Sequence, residues 1–258
     1  MISIITCTVR PELLPVIERC LSRQTHTSFE WIIVAPQDLH LEIDRQVGHG
    51  TEIYTLLSDP PKKEGDFWSL SKAWNKAYAH ARGELIVNIQ DGIWFAPDML
   101  ERFWRHYTVL PKALVTVVGN QYDQIDDRGK PTNCIWEDPR RKAGFAKVDP
   151  AEMEMCVCSI PRQALLDCGG IDEEYDLGPA VGEKEMCLRL RVLGYENYQD
   201  SDIEYRAIKH PRLTTDWDEK YWKITAPMFQ RHVKELGEGV RPLNVESLKA
   251  YNQNSSNL

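Results

Sequence analysis

Asp91 stands where the sequence predicts the end of a buried strand. It follows the apolar run at residues 84–89 and Gln90, and it precedes Gly92. In a mostly parallel sheet, ligands bind at the carboxyl ends of the strands. A carboxylate there can hold a hard divalent cation, and the cation can bridge to a diphosphate. The alternative is an Asp-Gly turn, in which the short polar side chain serves only the local backbone.

Glu183 and Glu185 lie in the first turn of a helix that the sequence predicts from about residue 182 to residue 193. Glu183 falls on the same face as the apolar residues of this helix, so a cap, a cation or a pocket must face it. We therefore take Glu183 as the candidate general base. Two alternatives stay open: Glu183 interacts only with the helix dipole, and Glu185 forms an ion pair with Arg189, four residues later.

Three further residues are candidates for ligand binding. Lys72 and Asn75 lie three positions apart beside the apolar stripe of a predicted helix, so both side chains could reach one ligand. The alternative for this pair is an ordinary solvated surface. His210 follows a predicted strand and precedes Pro211. A single histidine in such a place has a structural role more often than a ligand role.

Alternating strands and helices must position these residues. Apolar strand patterns and amphipathic helix patterns alternate over the first 120 residues. The predicted strands cover residues 2–7, 31–35, 52–57, 84–89 and 113–118, and the predicted helices follow Pro11 and cover 70–81 and 97–107. This alternation predicts βαβ units in an α/β fold, with a mostly parallel central sheet flanked by helices.

The rest of the chain is less regular. Residues 119–150 are polar and rich in turn residues, and we expect a long excursion of loops that could include a hairpin and could bind an acceptor. Strands are then predicted at 153–160 and 203–208, and helices at 161–168 and 182–193. Pro227 should kink or start a helix in the aromatic segment that follows. We predict one domain over 1–215, a helical segment over 216–240 and a tail over 241–258.

The composition excludes several classes of protein. The 258 residues include 31 basic and 39 acidic side chains, so the net charge is −8. Such a chain is not expected to bind nucleic acid, because neutralising phosphates needs a basic surface. A phosphate ligand would need a metal, a helix N-terminus or a few placed cations. The sequence has no apolar run of about 18 residues that would predict a membrane helix. Its seven scattered cysteines predict neither zinc nor disulfides, and we expect a cytoplasmic protein.

Taken in order, these motifs resemble the family 2 glycosyltransferases of GT-A fold over roughly residues 2–210. The segment at 4–14 resembles the family's opening strand and its Asn-Arg-Pro-like turn, and the segment at 24–34 resembles the next strand. The matches that follow are Lys72-Ala-Trp-Asn75, Ala81-Arg-Gly-Glu-Leu-Ile86, Gly169-Gly-Ile-Asp-Glu173, Gly182-Glu-Lys-Glu-Met-Cys-Leu-Arg189 and a late histidine, His210.

The resemblance implies a GT-A (Rossmann-like) fold with a C-terminal helical appendage, and inverting transfer of a sugar in glycan or polysaccharide assembly. The donor would be a nucleotide-diphosphate sugar, with UDP-sugars favoured. The acceptor would be the hydroxyl of a glycan, a lipid-linked molecule or a small molecule, in the cytoplasm or at the inner face of a membrane. A divalent cation, Mn²⁺ or Mg²⁺, would neutralise the leaving diphosphate. The implied roles are a base at Glu183, metal ligands at Asp91 and His210, and donor contacts at Thr8, Arg10, Asp38, Lys72, Asn75 and Asp91.

Three positions depart from the family pattern. The Asp-x-Asp metal motif reads Gln90-Asp91-Gly92, so only the central carboxylate remains. The Asp pair after the second strand reads Ala35-Pro36, with Asp38 the nearest acid. The Glu-Asp pair reads Gly182-Glu183, which puts a base one methylene longer at that place.

These departures keep two alternatives open: a metal-independent enzyme, and a GT-A-like nucleotide-sugar-binding protein that is catalytically weak or inactive. A nucleotidyltransferase is a third hypothesis. It is disfavoured because residues 5–15 contain no glycine-rich phosphate loop.

Overall fold

The computed structural model describes residues 1–36, 51–58, 69–126, 129–179, 181–210 and 217–252. Its strands in chain order are β1 (Ile2–Cys7), β2 (Phe29–Ala35), β3 (Glu52–Leu57), β4 (Leu85–Ile89), β5 (Ile93–Phe95), β6 (Ala113–Thr116), β7 (Asn120–Ile125), β8 (Pro131–Trp136), β9 (Phe145–Lys147), β10 (Val157–Pro161), β11 (Glu196–Asp200) and β12 (Tyr205–Ile208). The helices are α1 (Leu14–Leu21), α2 (Leu70–His80), α3 (Met99–Val109), α4 (Arg162–Cys168), α5 (Gly182–Val192), α6 (Trp217–Lys220), α7 (Ala226–Gly237) and α8 (Lys249–Asn252). A π-helical turn, Tyr221–Thr225, joins α6 to α7.

An eight-stranded sheet with the order β3-β2-β1-β4-β10-β6-β11-β9 forms the centre of the fold. Strands β3, β2, β1, β4, β6 and β11 are parallel to one another, and β10 and β9 run antiparallel to them. The prediction of a mostly parallel α/β sheet is therefore confirmed. The carboxyl ends of β1, β2, β3 and β4 meet at one edge of this sheet, which we call the carboxyl edge.

The sheet is covered on both faces, as the uninterrupted apolar runs of β1 and β2 predicted. Every residue of these two strands is buried. Ile4 belongs to a core cluster that includes residues of α1 and α3, whereas Ile5 belongs to a second cluster with residues of α2, α4 and α5. Neighbouring side chains of a strand point to opposite faces, and here each face has its own apolar core.

A second, four-stranded sheet has the order β5-β12-β7-β8. Within the predicted excursion at 119–150, β7 and β8 form an antiparallel pair, so the excursion contains a hairpin together with β9. The sequence patterns missed β5 because it has only three residues, and they missed β11 because its residues are mostly polar.

A buried ion-pair network anchors α5. The expected ion pair is present, since Arg189 Nε lies 2.9 Å from both carboxylate oxygens of Glu185. This pair lies inside the protein, with side-chain exposures of 0% for Arg189 and 2% for Glu185. Arg189 Nη2 also donates to the carbonyl of Gly170 at 2.9 Å, and Arg241 Nε lies 3.1 Å from Glu185 Oε1. The network holds the first turns of α5 against the Gly169-Gly170 turn.

The C-terminal segment packs on the same region. Pro227 lies in the first turn of α7, so it starts a helix, which was one of the two predicted alternatives. The side chains of Val245 and Leu248 are buried, and the Leu248 N–H donates to the Gly169 carbonyl at 2.9 Å. Residues 241–252 of the expected tail thus lie against the domain, while the domain division itself stays a prediction. Within the described ranges, no helix combines the length and the apolar character needed to cross a membrane.

Candidate active site

Strand register brings Thr8 beside Asp91. Strands β1 and β4 are parallel with Ile5 opposite Asn88, so the residues that follow place Thr8 opposite Asp91 at the carboxyl edge. The Thr8 hydroxyl donates to Asp91 Oδ2 at 2.6 Å, and both residues are buried. Asp91 also forms a turn with Gly92, which was the alternative reading of this position. The turn and the carboxylate contact therefore occur together.

Arg10 joins this pair from the turn that follows β1. Its backbone N–H donates to the Thr8 hydroxyl at 2.8 Å, which bends the chain back toward the edge of the sheet. Its Nε then donates to Asp91 Oδ2 at 3.2 Å. The Arg10 side chain is 20% exposed and that of Asp91 is 5% exposed, so the guanidinium lies between the carboxylate and the solvent.

His210 reaches the same place from the second sheet. Strands β12 and β5 pair antiparallel with Ala207 opposite Ile93, and the Ile208 N–H donates to the Gly92 carbonyl at 2.9 Å. The chain beyond β12 therefore runs toward the residues around position 91, where Arg10 Nη1 donates to His210 Nδ1. We call Thr8, Arg10, Asp91 and His210 the Asp91 cluster. It unites four of the residues that the sequence singled out.

The donor atoms of the Asp91 cluster do not fit a resident divalent cation. A guanidinium is only a donor, so His210 Nδ1 must accept the hydrogen bond with its lone pair. The neutral imidazole then carries its proton on Nε2, which leaves neither nitrogen available as a metal ligand. Asp91 Oδ2 accepts two hydrogen bonds already. Moreover, the positive charge of Arg10 lies 3.2 Å from this carboxylate and repels a second cation.

Cys156, just before β10, connects the end of β4 with the surroundings of Glu183. The Gln90 N–H donates to the Cys156 carbonyl at 2.9 Å, which places Cys156 beside the residue that precedes Asp91. Burial raises the pKa of the Cys156 thiol to about 12, and the negative charges of Glu154 and Glu183 raise it further. Both carboxylates must therefore lie near this thiol. Glu183 is thus close to Cys156, and Asp91 directly follows Gln90, the residue bonded to Cys156.

The surroundings of Glu183 suit a general base. Burial and the charge of Glu154 raise the pKa of its carboxyl group, while hydrogen bonds from the backbone of Val181 and Glu183 oppose the rise. The side chain stays partly exposed. Val181 precedes the helix with φ 64° and ψ −9°, a left-handed conformation that costs a β-branched residue about 1–3 kcal/mol. Such strain is concentrated at functional sites.

Sequence reasoning missed three charged residues that act on Cys156 together with Glu183. The Arg140 guanidinium contacts Asp138, with Nε 2.9 Å from Oδ1, and it forms an ion pair with Glu154. Burial alone would raise the pKa of Asp138, but hydrogen bonds from Arg140 lower it below its ordinary value. The polar run at 138–142 was the available signal. Nothing local in that run showed that it would fold back toward residue 154.

The chain just before β7 approaches β12 closely at Gly119 and Tyr205. A Cβ atom added to Gly119 would lie 2.2 Å from the ring of Tyr205, so only glycine allows the ring to rest on the backbone there. Burial raises the pKa of the Tyr205 hydroxyl, as do the charges of Glu154 and Asp138. The Tyr205 ring therefore packs directly on the backbone at Gly119, just before β7.

The structure corrects the prediction for Asn75. Its side chain is fully buried, and its amide binds both the N–H and the carbonyl of Ile171, at 3.0 and 2.7 Å. A Cβ atom added to Gly170, whose φ is +79°, would lie 2.3 Å from Asn75 Oδ1. Asn75 therefore ties α2 to the Gly169-Gly170 turn and does not face a ligand, because both ends of its amide are committed to Ile171.

The remaining two predicted donor contacts lie elsewhere. Lys72 is in the first turn of α2, where its backbone N–H donates to Asp176 Oδ2 at 3.1 Å, and its side chain is partly exposed. Its role as a donor contact stays a prediction. Asp38 lies outside the described residues.

A different group of side chains has the spacing of a metal site. The ligand atoms of Asp172, Glu174 and His232 lie within 4.8 Å of one another. Within the described ranges, this is the group of acidic, histidine or cysteine side chains that is close enough to hold a metal ion. Asp172 forms an ion pair with Arg241, and the Tyr175 hydroxyl lies 2.9 Å from His232 Nδ1. Glu174 Oε2 lies 3.3 Å from Arg231 Nη2, so each of the three side chains already has a partner. The contacts from Tyr175 and Glu174 link the 3₁₀ turn Glu173–Leu177 to α7.

Comparisons with known proteins place the fold. No protein-family model matches the sequence, and no curated protein matches it. The fold is GT-A-like, a mixed α/β architecture that solved glycosyltransferase structures share. The structure of Staphylococcus aureus TarS residues 1–349 in complex with UDP matches 90% of this chain with a TM-score of 0.61 at 15% identity. The corresponding complex of S. aureus TarS with UDP-GlcNAc matches 82% with a TM-score of 0.56 at 16% identity.

These matches concern the fold alone. The chain covers 65% of the TarS fragment that contains UDP, and it covers 37% of the longer TarS chain, which matches with a TM-score of 0.59. The chain thus spans less than two thirds of these proteins. Membership of glycosyltransferase family 2 stays a prediction.

Proposed function

We propose that this chain is a glycosyltransferase that transfers a sugar from a nucleotide-diphosphate sugar to an acceptor hydroxyl with inversion. The proposal rests on the Asp91 cluster at the carboxyl edge of a GT-A-like sheet, and on Glu183, whose charge acts on Cys156 beside Gln90. The complexes of TarS with UDP and with UDP-GlcNAc support a UDP-sugar as the donor. The Asp91 cluster would bind the diphosphate, and Glu183 would face the acceptor.

The proposed reaction uses Glu183 as the base. The acceptor oxygen attacks the anomeric carbon, and a bond forms between them while the bond from that carbon to the phosphate oxygen breaks on the opposite face. The acceptor proton passes to Glu183, and the nucleoside diphosphate leaves. A carboxylate whose pKa is raised by burial and by Glu154 holds this proton more readily than an exposed glutamate would.

The acceptor would lie against the segment at 119–150. Arg140 and Asp138 of this segment adjoin Glu154, which acts electrostatically on Glu183. Trp136 on β8 is 43% exposed and offers an aromatic surface in the same segment. We propose that a glycan, a lipid-linked molecule or a small molecule supplies the hydroxyl, and that the reaction takes place in the cytoplasm or at the inner face of a membrane.

Ligand-induced thermal stabilisation tests the proposal. UDP, GDP, CDP and dTDP are each added to the full chain, and the unfolding temperature is measured. A ligand at about 100 times its Kd adds about 2.7 kcal/mol of stability, which corresponds to a rise of about 5–10 °C for a domain of this size. We expect UDP to give the largest rise. The measurement is made both with 1 mM MnCl₂ and with EDTA. If none of the four nucleotides raises the unfolding temperature at millimolar concentration in either condition, the proposal is wrong.

A non-catalytic nucleotide-sugar-binding protein is the second candidate. It is favoured by the Asp91 cluster, whose donor atoms do not fit the metal that the family usually employs. Release of UDP from UDP-GlcNAc, followed by chromatography over days, separates the two candidates. Slow hydrolysis that depends on Glu183 supports the enzyme, whereas UDP binding without any release supports the binding protein.

A further inference from the structure

Arg10 occupies the position at which a metal would be expected to meet the diphosphate. Its guanidinium lies between Asp91 and His210, the two residues that the family resemblance implies as metal ligands. Its contacts come from three separate parts of the fold: the turn after β1, the end of β4 and the end of β12. The chain therefore brings its own positive charge to the carboxyl edge.

We propose that Arg10 takes the role of the divalent cation, so that this protein binds the diphosphate of its donor without a metal. The inference rests on the proposed function, since it concerns how that same site holds its ligand. Asp91 then acts as the residue that positions Arg10, and Thr8 orients Asp91. His210 Nδ1 accepts a second hydrogen bond from the guanidinium, through Nη1.

The hydrogen-bonding capacity of Arg10 agrees with this role. A guanidinium has five N–H donors in a planar fork, and among the described residues its side chain donates through Nε to Asp91 and through Nη1 to His210. The contacts recorded for the side chain thus leave Nη2 for a ligand. Arginine binds phosphate oxygens in a bidentate way and stays charged at every physiological pH. Its 20% exposure lets a ligand reach it.

The overall charge of the chain favours a local positive group at the diphosphate site. The chain carries a net charge of −8, so the protein as a whole repels a nucleoside diphosphate. The only carboxylate left from the metal motif is Asp91, and Arg10 already compensates it. A metal bound there would have to displace the guanidinium and also free His210 Nδ1. Binding without a metal needs neither change.

Calorimetric titration of the full chain with UDP tests the inference. Titrations are run with excess EDTA and with 1 mM MnCl₂, on the wild type and on Arg10→Ala, Arg10→Lys and Arg23→Ala. Arg23 is an exposed arginine just beyond the end of α1, at the opposite edge of the sheet, and it serves as the matched control. We expect the wild-type Kd in EDTA to lie within about threefold of the Kd in manganese.

The Arg10 variants should lose affinity for UDP. The loss of a hydrogen-bonded charge predicts a Kd about 10- to 150-fold higher for Arg10→Ala, with a smaller rise for Arg10→Lys, which keeps the charge but not the fork. The Kd of Arg23→Ala should not change. A double variant, Arg10→Ala with Asp91→Asn, should bind as weakly as Arg10→Ala. If it instead recovers wild-type affinity, Arg10 only compensates Asp91 and the inference is wrong.

The outcomes separate this inference from the proposed function. UDP binding that needs manganese and disappears in EDTA overturns the inference but leaves the glycosyltransferase proposal in place. Unchanged UDP affinity in both Arg10→Ala and Arg10→Lys also overturns it. The absence of UDP binding in every condition overturns the proposed function itself. Thermal unfolding of each variant shows whether it is folded. If Arg10→Ala does not fold, the comparison of Arg10→Lys with the wild type still tests the inference.

Discussion

Replacing Glu183 by glutamine removes the proposed base while it keeps the shape of the side chain. The Glu183 carboxylate accepts hydrogen bonds from the backbone of residues 181 and 183, and a glutamine oxygen can accept the same bonds. We therefore expect the Glu183→Gln variant to fold normally and to bind UDP with a Kd within about twofold of the wild type. Only the transfer of the acceptor proton is lost.

The size of the effect follows from the role of a general base. Such a group contributes a factor of about 10² to 10⁴ in rate, which corresponds to about 3–5 kcal/mol in the activation free energy. The assay is the release of UDP from UDP-GlcNAc, at saturating donor, for the wild type and the variant. Glu246→Gln provides the control, since the Glu246 side chain is 83% exposed and lies far along the chain from α5.

The pH dependence gives a second readout of the same group. Glu183 is active when it is deprotonated, so the rate should fall as the pH drops through its raised pKa. The charge of Glu154 is one cause of that raised pKa, after burial. The Glu154→Gln variant should therefore shift the acid limb of the rate profile to lower pH. Wild-type turnover in Glu183→Gln, or an acid limb that stays in place in Glu154→Gln, would refute the assignment of the base.

Three further predictions concern the framework around the site. Arg189→Ala removes one of the two arginines that compensate the buried Glu185 carboxylate, together with the hydrogen bond to the Gly170 carbonyl. It should lower the free energy of unfolding by about 3–5 kcal/mol in denaturant titrations. Lys223→Ala, from an exposed pair, should change it by less than about 1 kcal/mol. Gly119→Ala should cost about 1–3 kcal/mol, because its Cβ meets a ring at 2.2 Å, while Gly237→Ala, with no atom within 4 Å, should be neutral or stabilising in the same measurement. Burial raises the pKa of Asp172, but hydrogen bonds and the charge of Arg241 outweigh burial, so the pKa lies below its ordinary value. The ionised Asp172 therefore stabilises the fold above its ordinary pKa, and this stabilisation is lost as the pH falls through the lowered pKa. Asp172→Asn should flatten the acid side of a plot of unfolding temperature against pH.

The candidate site could be predicted in part. Thr8, Arg10, Asp91 and His210 were each singled out from the sequence, and the structure brings them together. Their mutual contacts could not be predicted. Arg10 and His210 are 200 positions apart, and they meet only because β12 pairs with β5 in one particular register. The guanidinium between the two expected metal ligands was therefore invisible in the sequence.

Asn75 shows why a helical position alone is a weak guide. The sequence places it beside the apolar stripe of α2, and a side chain there can face solvent, a ligand or another element. The structure packs it against Ile171, which is 96 positions away. Arg140 and Glu154 form a similar case, since the sequence predicts only that residues 138–142 lie in a long excursion of loops, and the structure pairs Arg140 with Glu154.

The sequence by itself determined the alternation of strands and helices, the buried character of β1 and β2, and the places where strands end and helices begin. Those features depend on hydrophobic periodicity and on local backbone preferences, which act over a few residues. Only the tertiary structure determined that the polar segment β11 forms a strand, that the Glu185–Arg189 pair is buried, and that Asp91 contacts Thr8 and Arg10. Each of these depends on strand register and on which partner compensates a charge taken out of water, and such terms arise only when distant segments pack together.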